Sequence, residues 1–285
     1  MENLKGIKTM AKVATTLKKR NNIVNLELKD INKSLSLDTL KIYNWFYAQL
    51  QLNRANMKQY NYVLNVKQTT LKEELNITTN NYNEVIKESL KELATTLVVI
   101  KNFTLGDKIV SSYNTCLINN YVDYVDKNDN KTRCFSIKFD EEIFNEMMKK
   151  GQGYTNLEIK NIKSLNSSYQ IRLYEYLKSF QSMTKSPPLG INDLNKILFT
   201  NKTHMAELEL IINRCIKTLE EKTDLIIEYK KDKKNKQIQF EMNQIKNRNI
   251  QKQEKARRFK VNKKAEIGTD IDVNDIMNKF KNMKK

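Results

Sequence analysis

The chain has 285 residues, 39% of them hydrophobic, with 51 Lys and Arg against 33 Asp and Glu and a formal net charge of +18. That length and apolar content supports one large or two ordinary cores and excludes a chain disordered throughout. Six Gly and two Pro are few, which favours long regular elements and argues against glycine-rich ligand loops.

The charge is uneven. Residues 1–33 hold eight basic and three acidic residues, and 246–285 hold thirteen and five, so most of the surplus lies at the ends. Basic ends on a mildly basic body suit a polyanionic partner, whose phosphates release counterions as lysines approach. A general inflation of Lys and Asn would not concentrate the surplus there. Cys116, Cys134 and Cys215 show no CxxC or Cys/His spacing, which fits a reducing compartment with neither disulfides nor a zinc site. A single histidine, His204, cannot supply the imidazole pair of a metal-dependent nickase. No GxxxxGK[ST] run is present to hold a nucleotide phosphate, and "DEE" at 140–142 reads as the acidic first turn of a helix. No catalytic residue, metal ligand or cofactor is therefore expected. No apolar run has the length of a membrane span or of a signal-peptide core, so a cytoplasmic protein without membrane contact is expected.

In chain order, the first predicted helix covers 36–50, with Leu40, Tyr43, Phe46, Tyr47 and Leu50 on one stripe. A strand follows at 61–66. A short helix then opens with a capping box, Thr70 and Glu73, and turns Leu71 and Leu75 inward. "NITTN" breaks it before a longer helix carrying Tyr82, Ile86, Leu90 and Leu93. This is a helix-turn-helix outline, and the β-rich stretch after it completes a winged-helix order.

The second half repeats the plan. "LNSSYQIRLYEYLKSF" (165–180) predicts an amphipathic helix with Arg172 at the edge of its apolar face. Arg172 is read as an ion-pair partner, for instance of Glu175 or of an acid of the N-terminal half; contact with nucleic-acid backbone is the alternative. "KSPPLG" (185–190) is a loop, since adjacent prolines cannot continue a helix. A short helix at 191–199, the turn "TNKTH" and a long helix at 205–222 follow. Met205, Leu208, Ile212, Cys215 and Leu219 step by three and four along the last, which makes Cys215 a core residue. Residues 224–245 predict a hairpin with Leu225, Ile227 and Tyr229 facing the same way as Ile238, Phe240 and Met242.

The expected fold class is α+β: two tandem winged-helix domains joined by a long central helix. The expected divisions are a basic arm (1–33), the two domains (34–150 and 151–245) and a basic tail (246–285).

Three places carry candidate nucleic-acid contacts. The hairpin tip sets Lys230, Lys231, Lys233, Lys234 and Lys236 against one aspartate, a mutual repulsion that an anion would relieve by meeting them as phosphate. On the first unit's second helix Asn80, Asn81, Asn83, Glu84, Lys87 and Lys91 face outward; the Asn81 and Asn83 amides match adenine edges, although Glu84, Glu88 and Glu92 oppose phosphate unless paired with Lys87 and Lys91. On the second unit the face holds Lys202, Thr203, His204, Glu207, Asn213, Arg214 and Lys217.

The order of these pieces resembles the replication initiators of theta-replicating, iteron-type plasmids. The run Tyr169, Arg172, Leu173, Tyr174, Glu175 and Leu177 matches that family's linker-helix motif. Thr223, Asp224, Leu225, Ile227, Tyr229 and Lys233 match its strand and basic wing. The likeness covers roughly 34–245. It implies binding to repeated origin sites in double-stranded DNA, opening of adjacent AT-rich duplex, and partners in the host replication initiator and the replicative helicase. It also implies a homodimer through the N-terminal domain that represses the protein's own gene. A dedicated winged-helix transcriptional repressor without a replication role is the alternative.

Overall fold

The computed structural model describes residues 14–30, 33–77, 80–126, 132–148 and 153–244. The expected tail at 246–285 lies outside them.

The chain enters the fold earlier than its charge suggests. Thr16–Arg20 (β1), inside the stretch expected as an arm, pairs antiparallel with Tyr154–Glu158 (β8). A turn of helix, Asn21–Val24 (α1), and a two-residue strand, Glu27–Leu28 (β2), follow. Leu17, Ile23 and Val24 are buried, so the segment contributes apolar side chains to the core despite its lysines. The expected basic arm is therefore corrected for 16–28.

Leu37–Leu52 (α2) forms because Ser36 caps it, its Oγ accepting from the Thr39 N–H at 3.2 Å. Glu92 adds a carboxylate to the same end, accepting from the Ser36 N–H and the Thr39 hydroxyl. Sequence periodicity predicts one apolar stripe here, yet every residue from Ile42 to Leu50 is buried. A helix apolar all round lies inside a fold, and α2 is packed by elements from both halves of the chain.

A short helix, Arg54–Met57 (α3), leads to Val63–Lys67 (β3). Gln68–Glu74 (α4) and Tyr82–Thr95 (α5) make the first helix-turn-helix. α4 starts directly after β3 with Lys67 at its N-cap, so the expected capping box at Thr70 and Glu73 falls inside the helix. Leu97–Leu105 (β4) and Lys108–Cys116 (β5) form a long hairpin whose turn uses Gly106 at φ +57°. Asn120–Asp126 (β6) and Thr132–Lys138 (β7) form another. The strands join in two three-stranded sheets, β2-β4-β5 and β3-β7-β6. Glu141–Met148 (α6) has the acidic first turn expected at 140–142.

Ile159–Ser164 (α7) and Ser168–Ser179 (α8) occupy the middle. α8 packs on α1 and α2 on one side and on Ile191–Leu198 (α9) and Met205–Lys222 (α10) on the other. Its residues from Ile171 to Leu177 are all buried, and one hydrophobic core runs through it into both winged-helix units. The chain ends in the hairpin Leu225–Asp232 (β9) and Gln237–Gln244 (β10), in a register that sets Ile227 opposite Met242 and Tyr229 opposite Phe240.

"KSPPLG" is more than a loop. Leu189 and Ile238 exchange both backbone hydrogen bonds, at 2.8 and 2.9 Å, and the Ser186 N–H donates to the Phe240 carbonyl at 2.9 Å. The segment lies along the outer edge of β10 and covers backbone groups that an edge strand would expose.

At the centre of α8 is a buried charge network. Glu175 takes Lys19 Nζ from β1 on one carboxylate oxygen at 2.8 Å and Arg172 on the other at 2.7 Å. Arg172 also donates to the Ile197 carbonyl at the end of α9 and to the Leu26 carbonyl beside β2, and it stacks on the Phe199 ring at 4.1 Å. Of the two readings of Arg172, the structure bears out the ion pair with Glu175. Burial pushes the Glu175 carboxyl up, but Lys19 and Arg172 together outweigh it and hold the group below the ordinary glutamate value. Lys19 has one anion and a neighbouring cation, so burial prevails and its pKa is lowered.

This arithmetic orders two mutants. Glu175→Gln leaves two cations buried without a counter-charge and is expected to cost about 3–5 kcal/mol. Lys19→Met leaves a neutral Arg172–Glu175 pair and costs less; urea unfolding at neutral pH measures both, and the reverse order would refute the assignment. Because folding lowers the Glu175 pKa, its contribution is complete above the ordinary glutamate range and disappears as pH falls through the folded value. Stability followed downward from that range should fall less steeply in Glu175→Gln than in the wild type.

Candidate nucleic-acid interface

The second helix-turn-helix is braced by short-range bonds that the sequence makes available. α9 starts at Gly190, whose N–H donates to Asp193 at 3.0 Å, and turns Leu194, Ile197 and Leu198 inward. Phe199 ends it in the left-handed region at φ 53°, its buried ring under Arg172. The turn "TNKTH" is then clasped by one side chain. The Asn195 amide donates to the Lys202 carbonyl at 2.8 Å and accepts from the Lys202 N–H at 2.9 Å. His204 takes the N-cap position of α10 without a side-chain capping bond and, like Thr203, is exposed.

Along α10, Leu208, Ile212, Cys215 and Leu219 are buried, as their spacing predicts. Burial pushes the Cys215 thiol up to about 12, so it is a packing group. Asn213, Arg214 and Lys217 project from the exposed side. Two acids on this helix are matched by lysines: Lys202 Nζ is 3.2 Å from Glu207, and Lys231 from the hairpin bonds Glu209. The Tyr229 hydroxyl donates to Asn213 at 2.9 Å. These last two contacts tie β9 to α10, so the hairpin is held against the second helix of the helix-turn-helix.

The wing tip separates the five expected lysines into two groups. Lys230 pairs with Glu241 at 2.8 Å, and Lys231 is held by Glu209. Among the described residues, Lys233, Lys234 and Lys236 form no ion pair, and they occupy the exposed turn between the strands. Asp232 pairs with none of their ammonium groups. Its carboxylate accepts from the N–H groups of Lys234 and Asn235 at 3.0 and 3.1 Å and from the Asn235 amide at 2.7 Å, which shapes the turn and holds its pKa low.

In the N-terminal unit the expected face is partly consumed. Asn80 and Asn81 are exposed. Asn83 instead accepts from Gln68, joining α5 to α4, and Lys87 lies 2.9 Å from Asp123 of β6. Glu84 and Glu88 line an open groove between α5 and the segment before α2, together with Lys33, Asp38 and Lys91. No signal local to α5 marks Asn83 and Lys87 as already paired, because their partners come from other elements. Leu210, 59% exposed on the outward side of α10, is a residue the sequence reading passed over. No cluster of metal-ligating side chains occurs among the described residues. Nor, among them, is any helix long and apolar enough to cross a membrane.

Residues 16–178 match the family model described as initiator replication protein, WH1. The solved structure of the Pi initiator protein in complex with iteron DNA is similar in fold. It gives a TM-score of 0.57 at 16% identity, covering 81% of this chain and 98% of that one. Domains 2 and 3 of RctB give a TM-score of 0.45 at 12% identity, covering 84% and 95%. No curated protein matches.

The Asn195 clasp yields a local expectation. Asn195→Ala leaves both backbone groups of Lys202 without their partner and should cost about 1 kcal/mol per bond lost. Hydrogen exchange at the Lys202 amide should accelerate more than exchange within α10; equal acceleration throughout would show that the clasp is not what holds the turn.

Proposed function

The chain belongs to the initiator replication protein family, and from that membership we propose that it starts plasmid replication by binding repeated sites in double-stranded origin DNA. One observation carries the reading. In the C-terminal unit a helix-turn-helix is locked by Asn195, a hairpin is tied to its second helix, and three lysines outside ion pairs occupy the hairpin's tip. That is the arrangement in which a helix enters the major groove while a wing meets the phosphate backbone.

Within this reading Lys233, Lys234, Lys236 and Lys217 contact phosphate, while Thr203, His204 and Asn213 lie where base edges pass. Lys230, Lys231 and Lys202 act first on carboxylates of the protein and contribute less to the DNA. Asn80 and Asn81 remain candidates in the N-terminal unit; Asn83 and Lys87 serve the fold. The acidic groove on α5 supports a division of labour in which the N-terminal unit also meets protein partners, a second copy or a replication protein. We place the domain boundary after the β1–β8 pair, with α8 shared. The proposed action needs no catalytic step.

The decisive measurement titrates the full chain onto duplexes carrying direct repeats from beside its gene, against random competitor. Complexes that resist competitor are expected; complexes removed as readily as those on random duplex would refute the assignment. The wing has its own test. Replacing Lys233, Lys234 and Lys236 together with Gln should flatten the dependence of log affinity on log salt by roughly 0.9 per lost phosphate contact. Replacing Lys230 and Lys231 should flatten it by less per lysine, and equal effects per lysine would remove the distinction between the two groups.

A further inference from the structure

Leu210 stands at the middle of the outward side of α10 and is 59% exposed. A single exposed leucine needs no special explanation. This one lies on a particular line. Ala206 is one turn before it and Asn213 and Arg214 one turn after, at the three- and four-residue spacings that share a helix face, and Ala206, Asn213 and Arg214 are all exposed. The flanking acids Glu207 and Glu209 are held by Lys202 and Lys231, so the strip between them carries no uncompensated negative charge. The result is a small apolar spot, Ala206 and Leu210, with Asn213, Arg214 and Lys217 further along the same face and Lys231 of the wing beside it on Glu209.

A duplex major groove offers phosphates at its rims and, at its floor, one apolar group, the thymine C5-methyl. Resting on the initiator reading above, we propose that Leu210, assisted by Ala206, is a specificity-determining residue that recognises thymine through that methyl. Leucine has no donor or acceptor with which to read O4 of thymine, so its discrimination resides in the methyl. It therefore separates thymine from uracil, which presents the same hydrogen-bonding edge.

Deoxyuridine isolates that group. Duplexes enriched by the full chain from a random-sequence pool are resynthesised with each thymine replaced in turn, and affinities are measured for the wild type, Leu210→Ala and Lys217→Gln. At one or two thymines the wild type should lose about fourfold, the value of one buried methyl-sized group. Leu210→Ala should bind thymine and deoxyuridine duplexes equally there, while Lys217→Gln should weaken both and retain the ratio. An enriched duplex whose deoxyuridine penalties are absent, or persist unchanged in Leu210→Ala, overturns this assignment and leaves the initiator reading standing. A pool that yields no enriched duplex overturns both.

Discussion

A carboxylate with two cations on it, sealed inside the protein, decides how this molecule is put together. Glu175 joins Lys19 of β1 to Arg172 of its own helix, and Arg172 reaches onward to carbonyls beside β2 and at the end of α9. Three segments far apart in sequence meet there. Buried ion networks contribute little net stability compared with apolar packing, but removing one member leaves uncompensated charge. Such a network therefore acts by penalising every arrangement in which its members fail to meet. Here that fixes the position of α9, and with it the turn and α10, against the N-terminal unit.

The surface proposed for recognition follows the opposite rule, since most of its acids are already paired with lysines. Glu207, Glu209 and Glu241 each hold a lysine, and Asp232 is occupied by backbone N–H groups. What remains uncommitted is sparse and ordered: three lysines at a tip, an arginine and a lysine on a helix, and a small apolar spot on the same helix. A net charge of +18 would attract any polyanion, whereas the internal pairing decides which lysines are left to meet one.

Local periodicity made much of this legible. The steps of three and four in α10 placed Cys215 in the core, and alternation in β9 and β10 told which side chains of the hairpin share a face. Arg172 and Glu175, three residues apart, could be read as partners from spacing alone. What escaped depended on distant partners. "TLKKR" reads as a basic arm because nothing nearby shows that Lys19 will meet a carboxylate 156 residues later. Asn83 and Lys87 read as surface groups for the same reason, their partners being Gln68 and Asp123. The prolines at 187 and 188 announced a loop and concealed the backbone bonds on either side of them. Leu210 escaped because it lies off the buried stripe of α10, where a lone apolar residue gives no signal of its own.

The continuous core through α8 has a mechanical corollary. Two DNA-reading modules on a slack tether can each find a site and tolerate whatever lies between. Modules welded through one helix cannot; on the proposed reading the protein is a stiff gauge, and the angular offset between its two halves must agree with the pitch of the duplex it grips. Helical phase would then be inspected together with base sequence, and a stretch of DNA wound to a different twist would be rejected even with every letter correct.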